Sequence, residues 1–133
     1  TFEKKKVSKK KIIDMQKKKT GELFGFCCES IAIIANKNKK TRKKLKDIGI
    51  SIGLLFQITD DMLDYKGNPE LVGKPTKMDL KKGKATLINL MGYKKTLTFA
   101  NKIKKQLDKK IKKYGYKSKD LLKSVDFLLD RDF

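Results

Sequence analysis

From Ile48 to Ile58 the chain is apolar nearly all the way round a helical turn. A helix of that kind has to be buried on most sides. Its far end then carries Asp60, Asp61 and Asp64 within five positions. With about 3.6 residues per turn, Gln57, Asp60, Asp61 and Asp64 fall at i, i+3, i+4 and i+7 and share one stripe. Like charges a turn apart repel. Gly67 and Pro69 read as the stop signal, which places the carboxylates at the negative end of the helix dipole. Such a stripe requires a positive partner.

The remaining segments read as helices around this one. Ser8 is a candidate cap for a helix that runs through Ile12, Ile13, Met15 and Leu23 to about Ala35. Gly21 and Gly25 on it, and Gly49 and Gly53 four apart on the next helix, suggest close packing. The second helix starts near Thr41, after an Asn36–Lys40 turn, and ends at about Tyr65. Residues 66–83 hold both prolines, three glycines and five lysines, and read as a basic loop. Helical pattern resumes at about Thr86, bends at Gly92 and ends at Tyr114-Gly115. A last helix, with Ser118 as its cap, carries Leu121, Leu122, Val125, Leu128 and Leu129. No strand alternation, repeat or linker interrupts the pattern, so residues 1–133 form a single all-α unit.

A chain of 133 residues, 38% hydrophobic, can bury a core without disulfide staples. Lys+Arg 35 against Asp+Glu 15 gives a net charge of +20, which suits an anionic partner. Only Arg42 and Arg131 are arginines, the side chain that reads bases and grips phosphate bidentately. The lysines are spread over nearly every segment, as on a solvated surface, which argues against nucleic acid. Cys27 and Cys28 are adjacent, lie in an apolar run and have no histidine to share a metal with. They read as buried free thiols in a reducing, cytoplasmic setting. Leu23 to Ala35 is too short for a membrane span and carries Glu29.

The order of features points to chemistry: a carboxylate stripe, a helix stop, then a basic glycine-rich loop. Hard cations such as Mg²⁺ favour carboxylate oxygens and recruit substrate phosphates to complete their octahedron. Loop lysines would neutralise the remaining phosphate oxygens, giving a metal–diphosphate site. The same residues also read more plainly. The aspartates could be an exposed, lysine-paired helix end, Lys17-Lys18-Lys19-Thr20 a solvated run, and Gln57 a satisfied buried amide.

Residues Gly53 to Asp64 resemble the second aspartate-rich motif of trans-prenyl diphosphate synthases, the polyprenyl synthetase family. Three more matches follow the family's order. Lys19-Thr20-Gly21 resembles its Lys-Thr pair, Gly73-Lys74 its first loop lysine, and Asp79 to Thr86 its Asp…Gly-Lys-Thr element. The resemblance implies the C-terminal half of an isoprenoid-synthase helical bundle and a prenyltransferase activity making geranyl, farnesyl or geranylgeranyl diphosphate. Carried over by position, Asp60 would ligate Mg²⁺, with Asp61 and Asp64 holding or bridging it through water. Lys19 and Lys74 would bind the allylic diphosphate. Thr20 and Gln57 would hydrogen-bond near the reacting carbons, Phe56 would wall the pocket for isopentenyl diphosphate, and Lys84 would help close the site. A homodimer is implied as well.

The sequence departs from the family in lacking the first aspartate-rich motif, the arginines after it and the residues that limit product length. Thr1-Phe2-Glu3 resembles a loop midway through such enzymes, so the chain is expected to be part of a longer protein and inactive alone. Two other readings remain: a basic helical module binding a polyanion, and a non-catalytic subunit of a heteromeric synthase.

Overall fold

The computed structural model describes residues 8–67 and 86–130. Among them every regular element is helical.

The first helix is continuous from Lys9 to Ile34 but changes pitch midway. Its α1 part, Lys9–Gln16, starts at Ser8, whose hydroxyl accepts from Lys11 N at 3.2 Å. It passes into a π-turn, Lys17–Gly21, where Glu22 N–H reaches back five residues to Lys17 O. It resumes as α2, Glu22–Ile34. A π-turn holds one extra residue and re-aims the side chains on it, which is why such turns recur at functional sites. This one carries Lys19 and Thr20.

Asn36 takes the left-handed conformation (φ 58) that ends α2, and Asn38 then caps the next helix by accepting from Thr41 N at 2.9 Å. That helix, α3, spans Lys39–Gly67 and returns antiparallel along the first. Their approach is very close. A Cβ built on Gly53 would lie 2.8 Å from Gly21 Cα, and one on Gly49 would overlap the Phe24 carbonyl. Backbone-to-backbone contact of this kind leaves room for no side chain.

The chain continues through α4, Leu87–Met91, capped by Thr86 Oγ1 accepting from Asn89 N at 3.2 Å. Gly92, at φ 84, turns it into α5, Tyr93–Lys112. A 3₁₀ turn, Gly115–Ser118, leads into α6, Lys119–Asp130. The core gathers around α3: Ile48, Ile52, Leu55, Ile58 and Met62 meet Ile12 of α1, Leu87 and Ile88 of α4, Ile103, Leu107 and Ile111 of α5, and Val125 of α6. Each such side chain contributes roughly 1.5–3 kcal/mol on leaving water. Rings and charges fasten the rim. Tyr65 stacks on Tyr93 with centroids 5.7 Å apart, and Lys9 lies 4.1 Å from the Phe99 centroid. Lys104 links α5 to α6 by bonding Asp126 at 2.7 Å while also holding Asp108 at 3.1 Å.

Two expectations fail. Cys27 is exposed and Cys28 half-buried, because α2 packs on α3 by one face and the opposite face is open among the described residues. Leu23, Phe26, Ile31 and Ile34 share that openness, with Ile34 85% exposed. Ser118 does not act as an N-cap acceptor. The 3₁₀ turn runs straight into α6, and the Ser118 hydroxyl donates to Gly115 O at 2.6 Å. The solvated-lysine reading holds: apart from half-buried Lys46 and Lys104, every described lysine is exposed.

Candidate active site

The aspartate stripe sits toward the end of α3, the helix with the most buried residues among those described, as its spacing requires. Asp60 and Asp61 are half-buried and Asp64 is exposed, one turn beyond Asp60 on the same face. Facing them across the helix hairpin is the π-turn. Thr20 donates its hydroxyl to Gln57 Oε1 at 3.1 Å, and Gln57 Nε2 donates to Asp61 Oδ1 at 3.2 Å. The directions are forced. A carboxylate only accepts, so Gln57 must turn its amino group to Asp61 and its oxygen to Thr20.

A fourth member completes this network and was not among the sequence candidates. Gln16, the last residue of α1, donates Nε2 to Asp61 Oδ2 at 3.0 Å. It is only 4% exposed. The signal in the sequence was an amide at a core position: Gln16 follows Ile12 at i+4 on the buried stripe of α1. Its Oε1 is buried without a hydrogen-bond partner among the described residues. An orphaned acceptor of that kind costs about 1–3 kcal/mol.

The other sequence candidates fall as follows. Phe56 is half-buried and packs on Phe24 of α2, with ring centroids 5.7 Å apart. Lys19 is exposed and lines an open cleft of about 480 Å³ with Lys11, Asp14, Met15 and Lys18. No aspartate of the α3 stripe lines that cleft, so the structure joins Thr20, Gln57 and Asp61 directly and leaves Lys19 beside them on the surface. Lys74 and Lys84, with the Gly73-Lys74 and Asp79–Thr86 matches up to residue 85, lie outside the described residues.

The donor set fits a hard cation. Among the described residues no three acidic, histidine or cysteine side chains close into one ligand group. Mg²⁺ does not need that, because it is usually held by one or two carboxylates while water and phosphate oxygens fill the remaining positions. Asp60 and Asp64 could supply those carboxylates. Both oxygens of Asp61 already accept from amides, which suits it to bridging through water or to anchoring the stripe.

A sequence profile of the family described as polyprenyl synthetase matches residues 1–125. The chain belongs to the polyprenyl synthetase family. Among its curated relatives is a short chain isoprenyl diphosphate synthase of Methanocaldococcus jannaschii, 34% identical over 116 residues, covering 87% of this chain and 35% of the relative. A farnesyl diphosphate synthase of Micrococcus luteus is 40% identical over 83 residues, covering 62% of this chain and 28% of the relative. This polyprenyl synthetase chain also superposes on a crystal structure of geranylgeranyl pyrophosphate synthase with a TM-score of 0.74 at 25% identity, over 99% of this chain and 54% of that one. It therefore has the helical isoprenoid-synthase fold over its own length. It spans about a third of the curated relatives it matches. No helix among its described residues is long and apolar enough to cross a membrane.

Proposed function

We propose that this chain supplies one face of a prenyl diphosphate synthase site, at which an allylic diphosphate condenses with isopentenyl diphosphate. The observation that carries the reading is the Thr20–Gln57–Asp61 network, which ties the lysine-bearing π-turn to the aspartate-rich end of α3. Family membership and the names of the relatives support it.

In this reading Asp60 and Asp64 hold Mg²⁺ with the allylic diphosphate. When bound, the metal supplies charge stabilisation to the departing diphosphate. Lys19, Lys74 and Lys84 offer ammonium groups to phosphate oxygens the metal leaves uncovered. Thr20 and Gln57 present polar atoms toward the reacting carbons, and Phe56 with Phe24 forms an apolar wall that excludes water. The isopentenyl double bond attacks the allylic carbon as its bond to diphosphate breaks. The proton then lost leaves to the diphosphate.

The site is one of two faces. The exposed apolar residues Leu23, Phe26, Ile31 and Ile34 on α2 support this reading, as a face that a second part of the site would cover. On this reading the 133-residue chain alone binds diphosphate but does not condense the two substrates. Mg²⁺-dependent product formed by the chain alone would overturn that part. Homodimerisation belongs to the same proposal and is measured by sedimentation.

The deciding experiment is calorimetric titration with inorganic diphosphate or a bisphosphonate, with and without Mg²⁺, on the wild-type chain and Asp60→Ala. Binding that needs Mg²⁺ and is lost in the variant supports the site. Equal affinity in both sinks it, and Mg²⁺-independent binding that falls steeply with salt points to a polyanion-binding module.

A further inference from the structure

Gln16 and Thr20 are four residues apart on the first helix, and Gln57 and Asp61 are four apart on α3. They pair in reverse order, Gln16 with Asp61 and Thr20 with Gln57, as antiparallel helices require. The Gln57–Asp61 bond runs along the third side of this rectangle. Asp61 is thus gripped from two helices, one amide on each oxygen.

Stability does not explain Gln16. The position is core, with Ile12 one turn before it, and an apolar side chain there would fill the space without stranding an acceptor of its own, at the loss of one hydrogen bond to Asp61 Oδ2. Because Asp61 can only accept, the amide has to face it with Nε2, and this leaves Oε1 buried and unpartnered. The structure tolerates one orphaned atom in order to hold one carboxylate oxygen. The bond also lies at the junction where α1 opens into the π-turn, so it sets the register of Lys19 and Thr20 against the aspartate stripe.

We propose that Gln16 is a positioning residue for the diphosphate site: it clamps Asp61 against the first helix, so that Asp61 anchors the stripe and the ligand-facing role falls to Asp60 and Asp64. This rests on the diphosphate reading given above. Groups that orient ligating residues typically change metal affinity by about 10–100-fold when removed. Gln16 acts one step further out, through Asp61 on Asp60 and Asp64, so the low end of that range applies.

The test is Gln16→Leu, which keeps the shape and deletes both the donor and the stranded acceptor. The melting temperature should hold or rise, while affinity for inorganic diphosphate with Mg²⁺ falls by about tenfold. A purely structural glutamine gives the opposite split, a lower melting temperature and unchanged affinity, and that result overturns the proposal. Gln16→Leu combined with Asp61→Ala should bind no more weakly than Asp61→Ala alone, since Gln16 acts through Asp61. Additive losses also overturn it. If the wild-type chain takes no diphosphate with Mg²⁺, the functional reading fails by itself. The clamp is then read from the Gln16 side-chain amide signals by NMR: a shift in Asp61→Ala sustains it, and unchanged signals refute it.

Discussion

The hydroxyl of Thr20 and the amide oxygen of Gln57 meet at 3.1 Å across 37 residues of sequence, and this bond fixes the π-turn against the aspartate-bearing helix. Thr20→Val removes the donor with little change of shape and leaves Gln57 Oε1 without its partner. A half-buried bond of this type contributes about 1 kcal/mol, so the melting temperature should drop by a few degrees. Affinity for diphosphate with Mg²⁺ should fall further than stability does, because Gln57 is also what holds Asp61 Oδ1. Titration of the variant beside a thermal melt checks both. A variant that melts lower and binds normally would show that the bond serves only the fold.

The helix hairpin depends on contact between backbones. Gly53→Ala puts a Cβ 2.8 Å from Gly21 Cα and 3.1 Å from Gly21 N, and neither atom can rotate away. The helices have to separate, at a cost of about 1–3 kcal/mol. Separation also lengthens the Thr20–Gln57 and Gln16–Asp61 bonds, so ligand affinity should fall with stability. Gly67→Ala is the control. Among the described residues nothing lies within 4 Å of its added Cβ, and the change should be small or stabilising by at most about 1 kcal/mol. Denaturant melts of the two variants should separate clearly.

Among the described residues the helical segments, the buried centre of α3, the glycine contacts and the aspartate stripe were legible, because helical periodicity converts spacing directly into faces. Thr20 and Gln57 were legible as members of a resemblance, though not as partners of each other. Gln16 was not. An amide on a core stripe has no pattern of its own, and its meaning depends on which helix faces it. The π-turn left no trace either, since one bond reaching back five residues instead of four has no compositional mark. Cys27 was misjudged for a third reason. The apolar run of α2 promised burial on both sides, yet among the described residues only α3 covers it.

Lys104 tests how α6 is held. Its side chain is 24% exposed and bonds Asp126 and Asp108. The hydrogen bond to Asp126 does most to raise its pKa above the usual 10.5, assisted by Asp108 and opposed by partial burial. A lysine whose folded pKa is raised stabilises fully below its unfolded value and loses that contribution as pH climbs through the folded one. Lys104→Met should therefore cost about 1 kcal/mol near neutral pH, allowing for solvent screening. The gap between variant and wild type should persist through neutral pH and close only above pH 10.5. Closure near neutrality would remove Lys104 as the clasp.

The adjacent thiols should react unequally. Burial pushes the Cys28 thiol above its ordinary value of 9.0, and a negative charge on Cys27 pushes it further. The thiolate is the reactive form, so Cys28 is suppressed at neutral pH, while Cys27 stands exposed on the open face of α2. Brief alkylation at neutral pH, read by mass spectrometry of peptides, should label Cys27 first. Cys27→Ser should remove most of the fast labelling. It relieves only the smaller cause of the Cys28 shift, because burial remains, so Cys28 should stay slow in that variant. If Cys28 became fast once Cys27 was gone, burial would not be what holds it protonated, and α2 would have to sit less tightly on α3 than its glycine contacts with Gly49 and Gly53 require.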